Sequence, residues 1–362
     1  MITFAQNTQK QEIIRIWQTS FPEDSLEFVN MYFTKKYKKE NTLVYMIDNQ
    51  VVSCLQMLPY SINFHNTVCK LSYISGAATL PDHKNRGIMG ELLRQSFVEM
   101  RNRGDVFTVL IPQEAWLIEF YKKYGYTTCF EHSLTPISLF DDCFSTVFSV
   151  SALDNIHLQD AYDYYNNYCK QQNLFVLKTF DDFLVIWEEL KLFSGNIFLC
   201  YEAEKICGIC FCFVSEKEVT IKDLVVDSET ARKQLLLFAM EKYNTNVLQL
   251  CEPLYFCTKE KPQHKENGMA RIIHVEKALQ IYASFYNQLQ ITIKVQDNAI
   301  AENNGIFYLY NGNCTRKQNN CFDIEVDINL LTQLLFGYQT GNLPSNYHVF
   351  PQHHPFMSLM LE

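Results

Sequence analysis

Residues 7–37 place apolar side chains at helical spacing: Ile13, Ile14 and Trp17 share one side, Phe21-Pro22 interrupts, and Phe28, Met31, Tyr32 and Phe33 resume it. Two helices are predicted. Short apolar runs follow at Leu43–Ile47, Val51–Met57 and Val68–Ile74, with Asp48-Asn49-Gln50 as a polar turn after the first, and these predict consecutive antiparallel strands. A helix is expected over 88–103, striped by Leu92, Leu93, Phe97 and Met100, with Gly104 at its C-terminal cap. Strand 106–111, a short helix at Trp116–Tyr121 and a turn at Tyr124-Gly125-Tyr126 complete a first domain, closing near residue 150.

Residues 151–255 repeat this order with little identity: helical spacing at 158–171 and 180–192, strands near Ile197–Cys200, Ile206–Val214 and Val219–Val226, a helix near 229–243, and strand Val247–Cys251. The polar stretch 252–268 reads as a linker. A third domain over 256–362 then shows strand Met269–Val275, helix 276–287, strand Leu289–Val295, a hairpin through 303–314, strand Phe322–Val326 and helix Ile328–Phe336 ending at Gly337. The chain ends Phe356-Met357-Ser358-Leu359-Met360-Leu361-Glu362, an apolar terminus expected to dock on folded structure. The fold class is α/β (α+β) with mixed sheets.

The most informative stretch is Leu71–Leu93, where an apolar strand meets a Pro-led turn, a basic loop and a helix start. A helix start exposes unpaired N–H groups and the positive end of the helix dipole, which favour an anion. Gly87 and Gly90 let backbone approach a phosphate, and Lys84 and Arg86 add positive charge. The pattern reads as a pyrophosphate cradle. Its counterpart in the repeat, Val226-Asp227-Ser228-Glu229, puts acids and a capping oxygen where a phosphate would sit, so the second copy reads as a scaffold without that ligand.

Lys84-Asn85-Arg86-Gly87-Ile88-Met89 resembles the acetyl-CoA loop of the GNAT acetyltransferases, Arg/Gln-x-x-Gly-x-Gly/Ala, with Lys for the first residue and Met for the last. Tyr121-Lys-Lys-Tyr-Gly-Tyr126 is similar to the family's Tyr-x-x-x-Gly-Phe/Tyr segment. Met269-x-Arg-Ile-x-x-Val275 and the closing Asp327-Ile-x-x-Leu-x-x-Leu-x-x-Gly337 resemble the sterol-carrier-like domain of the Eis acetyltransferases. That resemblance implies tandem GNAT units followed by a sterol-carrier-like domain, with acetyl-CoA as co-substrate. It implies that Ala77 and Thr79 bond the pantetheine arm, that Lys84, Arg86, Gly87, Ile88, Met89 and Gly90 hold the pyrophosphate, and that Tyr121 is the acid. It further implies that the tail returns to the first domain and that the α-carboxylate of Glu362 is the base.

Composition narrows the alternatives. A net charge of −9 and no Lys/Arg run argue against nucleic acid, including an aminoacyl-tRNA-dependent transferase. Thirteen scattered cysteines read as core thiols of a reducing cytoplasm, and His353-His354 without a third ligand is no metal site. The first ten residues lack a basic-then-apolar leader, and no apolar run has the length of a membrane span. The expected function is acetyl transfer to a primary amine of a small cationic molecule or a lysine, with a non-catalytic acyl-CoA-binding regulator as the alternative. A homo-oligomer stays open.

Overall fold

The computed structural model describes residues 1–138, 147–215, 218–253 and 263–361. In chain order it contains β1 (Ile2–Phe4), α1 (Lys10–Ser20), α2 (Leu26–Lys35), β2 (Thr42–Ile47), β3 (Gln50–Phe64), β4 (Thr67–Thr79), α3 (Ile88–Arg103), β5 (Phe107–Leu110), α4 (Ala115–Lys122) and β6 (Thr127–Ile137). Next come β7 (Phe148–Ala152), α5 (Leu158–Gln171), β8 (Phe175–Leu177), α6 (Phe180–Leu192), β9 (Asn196–Glu202), β10 (Lys205–Val214), β11 (Val219–Val226), α7 (Glu229–Lys242) and β12 (Leu248–Glu252). The last part holds β13 (Gln263–Ile272), α8 (Val275–Phe285), β14 (Ile291–Gln296), β15 (Gly305–Tyr310), β16 (Asn313–Lys317), β17 (Ile324–Asp327) and α9 (Ile328–Phe336).

Two compact units emerge, and their membership differs from the three consecutive domains read from sequence. One joins Met1–Phe130 to Asn267–Pro355; the other joins Glu131–Glu266 to the tail from Phe356. The reason is a shared core. Leu92, Leu93, Phe97 and Met100 of α3 bury with Leu55, Met57 and Ile74 of the sheet, and also with Met269, Ile273 and Ile300 from the C-terminal part. β13 pairs antiparallel with β5, Met269 opposite Leu110 and Ile272 opposite Phe107. β13 already starts at Gln263, inside the stretch read as a linker, while residues 254–262 of that stretch lie outside those described.

In the first unit β1 to β5 run in spatial sequence, antiparallel until β5 lies parallel to β4. β3 and β4 are 15 and 13 residues long, well beyond the expected runs. His65 and Asn66 join them with φ of 46° and 62°, a two-residue turn matched to strand twist. Pro59 hid this extension, because proline ordinarily argues against a strand interior. It sits past Gln56, where the ladder with β2 ends. The C-terminal part adds a four-stranded sheet ordered β16-β15-β14-β17, carrying α8 and α9.

The second unit orders its strands β6-β12-β11-β10-β9-β7. Its sheet packs on α7 through Leu235, Leu236 and Ala239, with Cys200, Cys207, Cys210 and Cys212 in the same core. No described helix is long and apolar enough to cross a membrane.

Candidate active site

β4 prepares the site in two ways. Its ladder with β3 pairs Gln56 with Ser75 but Cys54 with Ala78, so β4 carries one extra residue there, and Gly76 takes φ 55° in this bulge. Its parallel ladder with β5 ends at Tyr73–Val109. Leu80 N donates to Val52 O, which turns the backbone groups of residue 80 toward β3. Alternation then turns the N–H and C=O of Ala77 and Thr79 the other way, to the side where β5 no longer pairs. An extended chain can bond there.

The strand then enters the turn Pro81–His83, and Asn85 and Gly87 follow with φ of 61° and 78°. Gly87 is the N-cap of α3, and a Cβ built on it would meet nothing within 4 Å. Glu91 N donates to Gly87 O at 3.1 Å, closing the first helical bond, so the N–H groups of Ile88, Met89 and Gly90 precede it. Lys84, Arg86 and Gly87 are exposed. The open glycine, the three leading N–H groups and the two cations fit a bound pyrophosphate. Gly90 serves a different purpose from Gly87. A Cβ there would fall 2.0 Å from Tyr124 Oη, so its missing side chain makes room for Tyr124, and only its N–H is left for an anion.

Tyr121 lies on α4, buried beside Phe120 and Tyr126, with ring centroids at 5.2 and 5.7 Å. Its hydroxyl has no hydrogen-bond partner among the described residues. Burial pushes the phenol up to about 12, so it stays protonated throughout the neutral range.

Two residues from the C-terminal part hold the turn after Tyr121, and sequence reading gave neither a role. Arg271 of β13 donates through Nη1 to Tyr124 O at 2.8 Å, and through Nη2 to both oxygens of Asp297 at 2.8 and 2.7 Å. Its guanidinium carbon lies 4.5 Å from the Phe97 ring centroid, giving the buried charge an aromatic face. Gly125 is glycine because a Cβ would lie 1.6 Å from Arg271 Nη1. Asn329 of α9 donates to Tyr126 O at 2.7 Å and Lys122 O at 3.1 Å. The only hint in the sequence was Arg271 itself, a cation inside an otherwise apolar strand.

Above the bulge, α1 and α2 bring aromatic groups together. Trp17 covers Gly76 so closely that a Cβ would fall 2.5 Å from its ring, and its Nε1 donates to Asp24 at 2.6 Å. Burial raises the Asp24 carboxyl. The Tyr32 hydroxyl lies 2.8 Å from Ser75 Oγ and 3.2 Å from Gln56 Oε1. Gln56 Nε2 is buried with no partner among the described residues, a polar group that sequence reading passed over. His353 is committed to Tyr286 Oη at 2.7 Å, and His83 ends the turn before the cradle.

The repeat lacks the cradle's open helix start. Ser228 caps α7 by accepting from Ala231 N, and Tyr164 donates to Asp227 at 2.9 Å. Residues 356–361 group with this second unit, and Glu362 lies outside the described residues.

Residues 2–129 match the acetyltransferase (GNAT) domain family, and residues 275–342 match a sterol carrier protein domain. A sequence search of curated proteins gives no match. Solved structures of similar fold include a GCN5-related N-acetyltransferase from Anabaena variabilis, with TM-score 0.81 and 16% identity over 99% of this chain and 98% of that one. Eis1 from Mycobacterium abscessus aligns with TM-score 0.79 and 14% identity over 99% of both chains. A conserved protein of unknown function from Enterococcus faecalis, described as a probable N-acyltransferase, aligns with TM-score 0.77 and 16% identity over 97% of this chain and 96% of that one. At such identities the likeness is one of fold.

Proposed function

We propose that this chain, whose residues 2–129 match the acetyltransferase (GNAT) domain family and whose residues 275–342 match a sterol carrier protein domain, is an acyltransferase that transfers acetyl from acetyl-CoA directly to a primary amine of a small cationic molecule or a lysine. The observation that carries this reading is the departure of β4 from β5 after Tyr73–Val109, immediately ahead of a helix begun by an open, left-handed glycine. An extended arm ending in a pyrophosphate suits that sequence of free backbone groups.

When bound, acetyl-CoA supplies the acetyl group as a thioester, whose C–S bond breaks as the new N–C bond forms. In this reading Lys84, Arg86 and the N–H groups of Ile88, Met89 and Gly90 neutralise the pyrophosphate, and Gly87 admits it. Ala77 and Thr79 bond the pantetheine arm and set its depth. Tyr121 donates a hydrogen bond to the sulfur. Complete proton transfer from a phenol near 12 to a thiolate of ordinary pKa ~8.5 is uphill by about 5 kcal/mol, so stabilising the sulfur's charge is the larger part of its role. The α-carboxylate of Glu362 accepts the amine proton, directly or through water. Trp17, Phe28 and Tyr32 shape the acceptor side, and the net charge of −9 favours cations there.

The test is thiol release from acetyl-CoA against a panel of polyamines, aminoglycoside-like cations and lysine peptides. Saturable, amine-dependent release is expected. Saturable CoA binding without release across the panel would overturn transfer and favour the acyl-CoA-binding regulator.

A further inference from the structure

The second unit has a bulge of its own. β10 pairs Phe211 with Asp223 but Cys212 with Ile221, so Lys222 is an extra residue on β11. The parallel ladder of β11 with β12 covers only Thr220–Gln249 and Ile221–Leu250, so these strands also part after the bulge. The first unit has its bulge on the corresponding strand, one strand ahead of the cradle helix. There Trp17 covers it; here a buried carboxylate and the chain's own end meet.

Asp223 is 6% exposed, and its Oδ2 accepts from Tyr165 Oη at 2.7 Å and from Ser358 Oγ at 2.8 Å. Around Ser358 the tail is held at several points. Phe356 N donates to Leu174 O at 3.1 Å, and Val176 N donates to Phe356 O at 3.2 Å, a strand-like bridge beside β8. The Phe175 and Phe356 rings lie 5.2 Å apart, and Lys178 Nζ lies 3.0 Å from Met360 Sδ. Leu359 and Leu361 adopt φ of 55° and 60°, which leucine on a free chain seldom takes and which these contacts must offset.

We propose that the second unit is a receptor for residues 356–361 of its own chain, and that Asp223 and Tyr165 are positioning residues that present the terminal carboxylate. Its helix start is capped by Ser228, and past the bulge, where its strands part, Asp223 meets the tail. A carboxylate shared by two hydroxyls gives the seat its register: sliding the tail by one residue would remove Ser358 and leave a buried anion with one donor fewer. The catalytic half of the proposal rests on the Glu362 reading above; the receptor half stands without it.

The full-length protein tests the receptor. Carboxypeptidase digestion followed by mass spectrometry should release tail residues at least 10-fold faster from Asp223→Ala, and several-fold faster from Ser358→Ala, than from the parent. Asp223→Asn, which keeps an acceptor oxygen, should stay near the parent. Equal release rates in all four proteins would overturn the receptor. Turnover separates the two halves. Asp223→Ala should lower kcat while leaving KM for acetyl-CoA unchanged, with Asp223→Asn restoring it. Faster tail release with unchanged kcat would keep the receptor and overturn the base role of Glu362.

Discussion

Arg271 Nη1 donates to the Tyr124 carbonyl at 2.8 Å across 147 residues of sequence. The same guanidinium pairs with Asp297, and both side chains are sealed from solvent. Strand β13, which follows the second unit in the chain, therefore fixes the turn that begins three residues after Tyr121. Deleting Arg271 would strand a buried carboxylate, at a cost of about 3–5 kcal/mol, and would report on folding more than on catalysis. Asn329 is the better probe, being only partly buried while gripping the carbonyls on either side of that turn. Asn329→Ala is expected to lower kcat several-fold with KM for acetyl-CoA within about twofold, while costing about 1–2 kcal/mol of stability by denaturant titration. An unchanged kcat would limit the contact to a structural role.

Tyr121→Phe removes one oxygen and keeps the ring's packing against Phe120 and Tyr126. A fall of roughly 10–100-fold in kcat is expected, with CoA affinity retained by equilibrium titration. Because burial holds the phenol near 12, the parent's kcat should show no falling limb from Tyr121 below about pH 10. Full activity in the phenylalanine variant would remove Tyr121 from the chemistry.

Gly87 and Gly90 should fail differently when mutated to alanine. At Gly87 there is room for the methyl but φ is 78°, so Gly87→Ala costs about 1–2 kcal/mol of backbone strain and is expected to raise KM for acetyl-CoA. At Gly90 the methyl collides with Tyr124, so the melting temperature should fall first. Lys84→Ala combined with Arg86→Ala should weaken CoA binding and flatten its dependence on salt. Identical kinetic and thermal behaviour of the two glycine variants would contradict this division.

His65 sits in the β3–β4 turn, with Nε2 3.1 Å from Leu335 O and its ring among Phe64, Tyr282, Phe285, Tyr286 and His353. Burial lowers it to about 4. A histidine depressed on folding contributes stability that is complete above its unfolded value near 6.5 and is lost as pH falls toward 4. The loss should reach roughly 3 kcal/mol at pH 4. His65→Asn tolerates the left-handed backbone and should flatten stability between pH 6.5 and 4, followed by urea midpoints. An equally steep acid decline in that variant would assign it to other groups.

Much of the candidate site could be read locally. The stripe Leu92, Leu93, Phe97 and Met100, the left-handed residues Gly87 and Gly104 at its two ends, and the Ser228 cap of the repeat are expressed within one or two helical turns. Periodicity and end-capping need no knowledge of the rest of the chain. The resemblance that singled out Tyr121 rests on its spacing to Gly125, although the packing reason for that glycine, Arg271, was invisible.

The left-handed glycine that opens α3 and the serine cap that closes the start of α7 were thus determined by sequence, because backbone donors at a helix start are satisfied or left free by their immediate neighbours. Tertiary structure alone decided the parting of β4 from β5, the bulges at Gly76 and Lys222, the grip of Arg271 and Asn329 on the Tyr121 turn, and the meeting of Ser358 with Asp223 across 135 residues. Each of these depends on strand register or on pairing a buried polar group with a distant partner. Such pairings leave no periodic trace in the chain, because the energy that selects them exists only once the surrounding surface is closed to water.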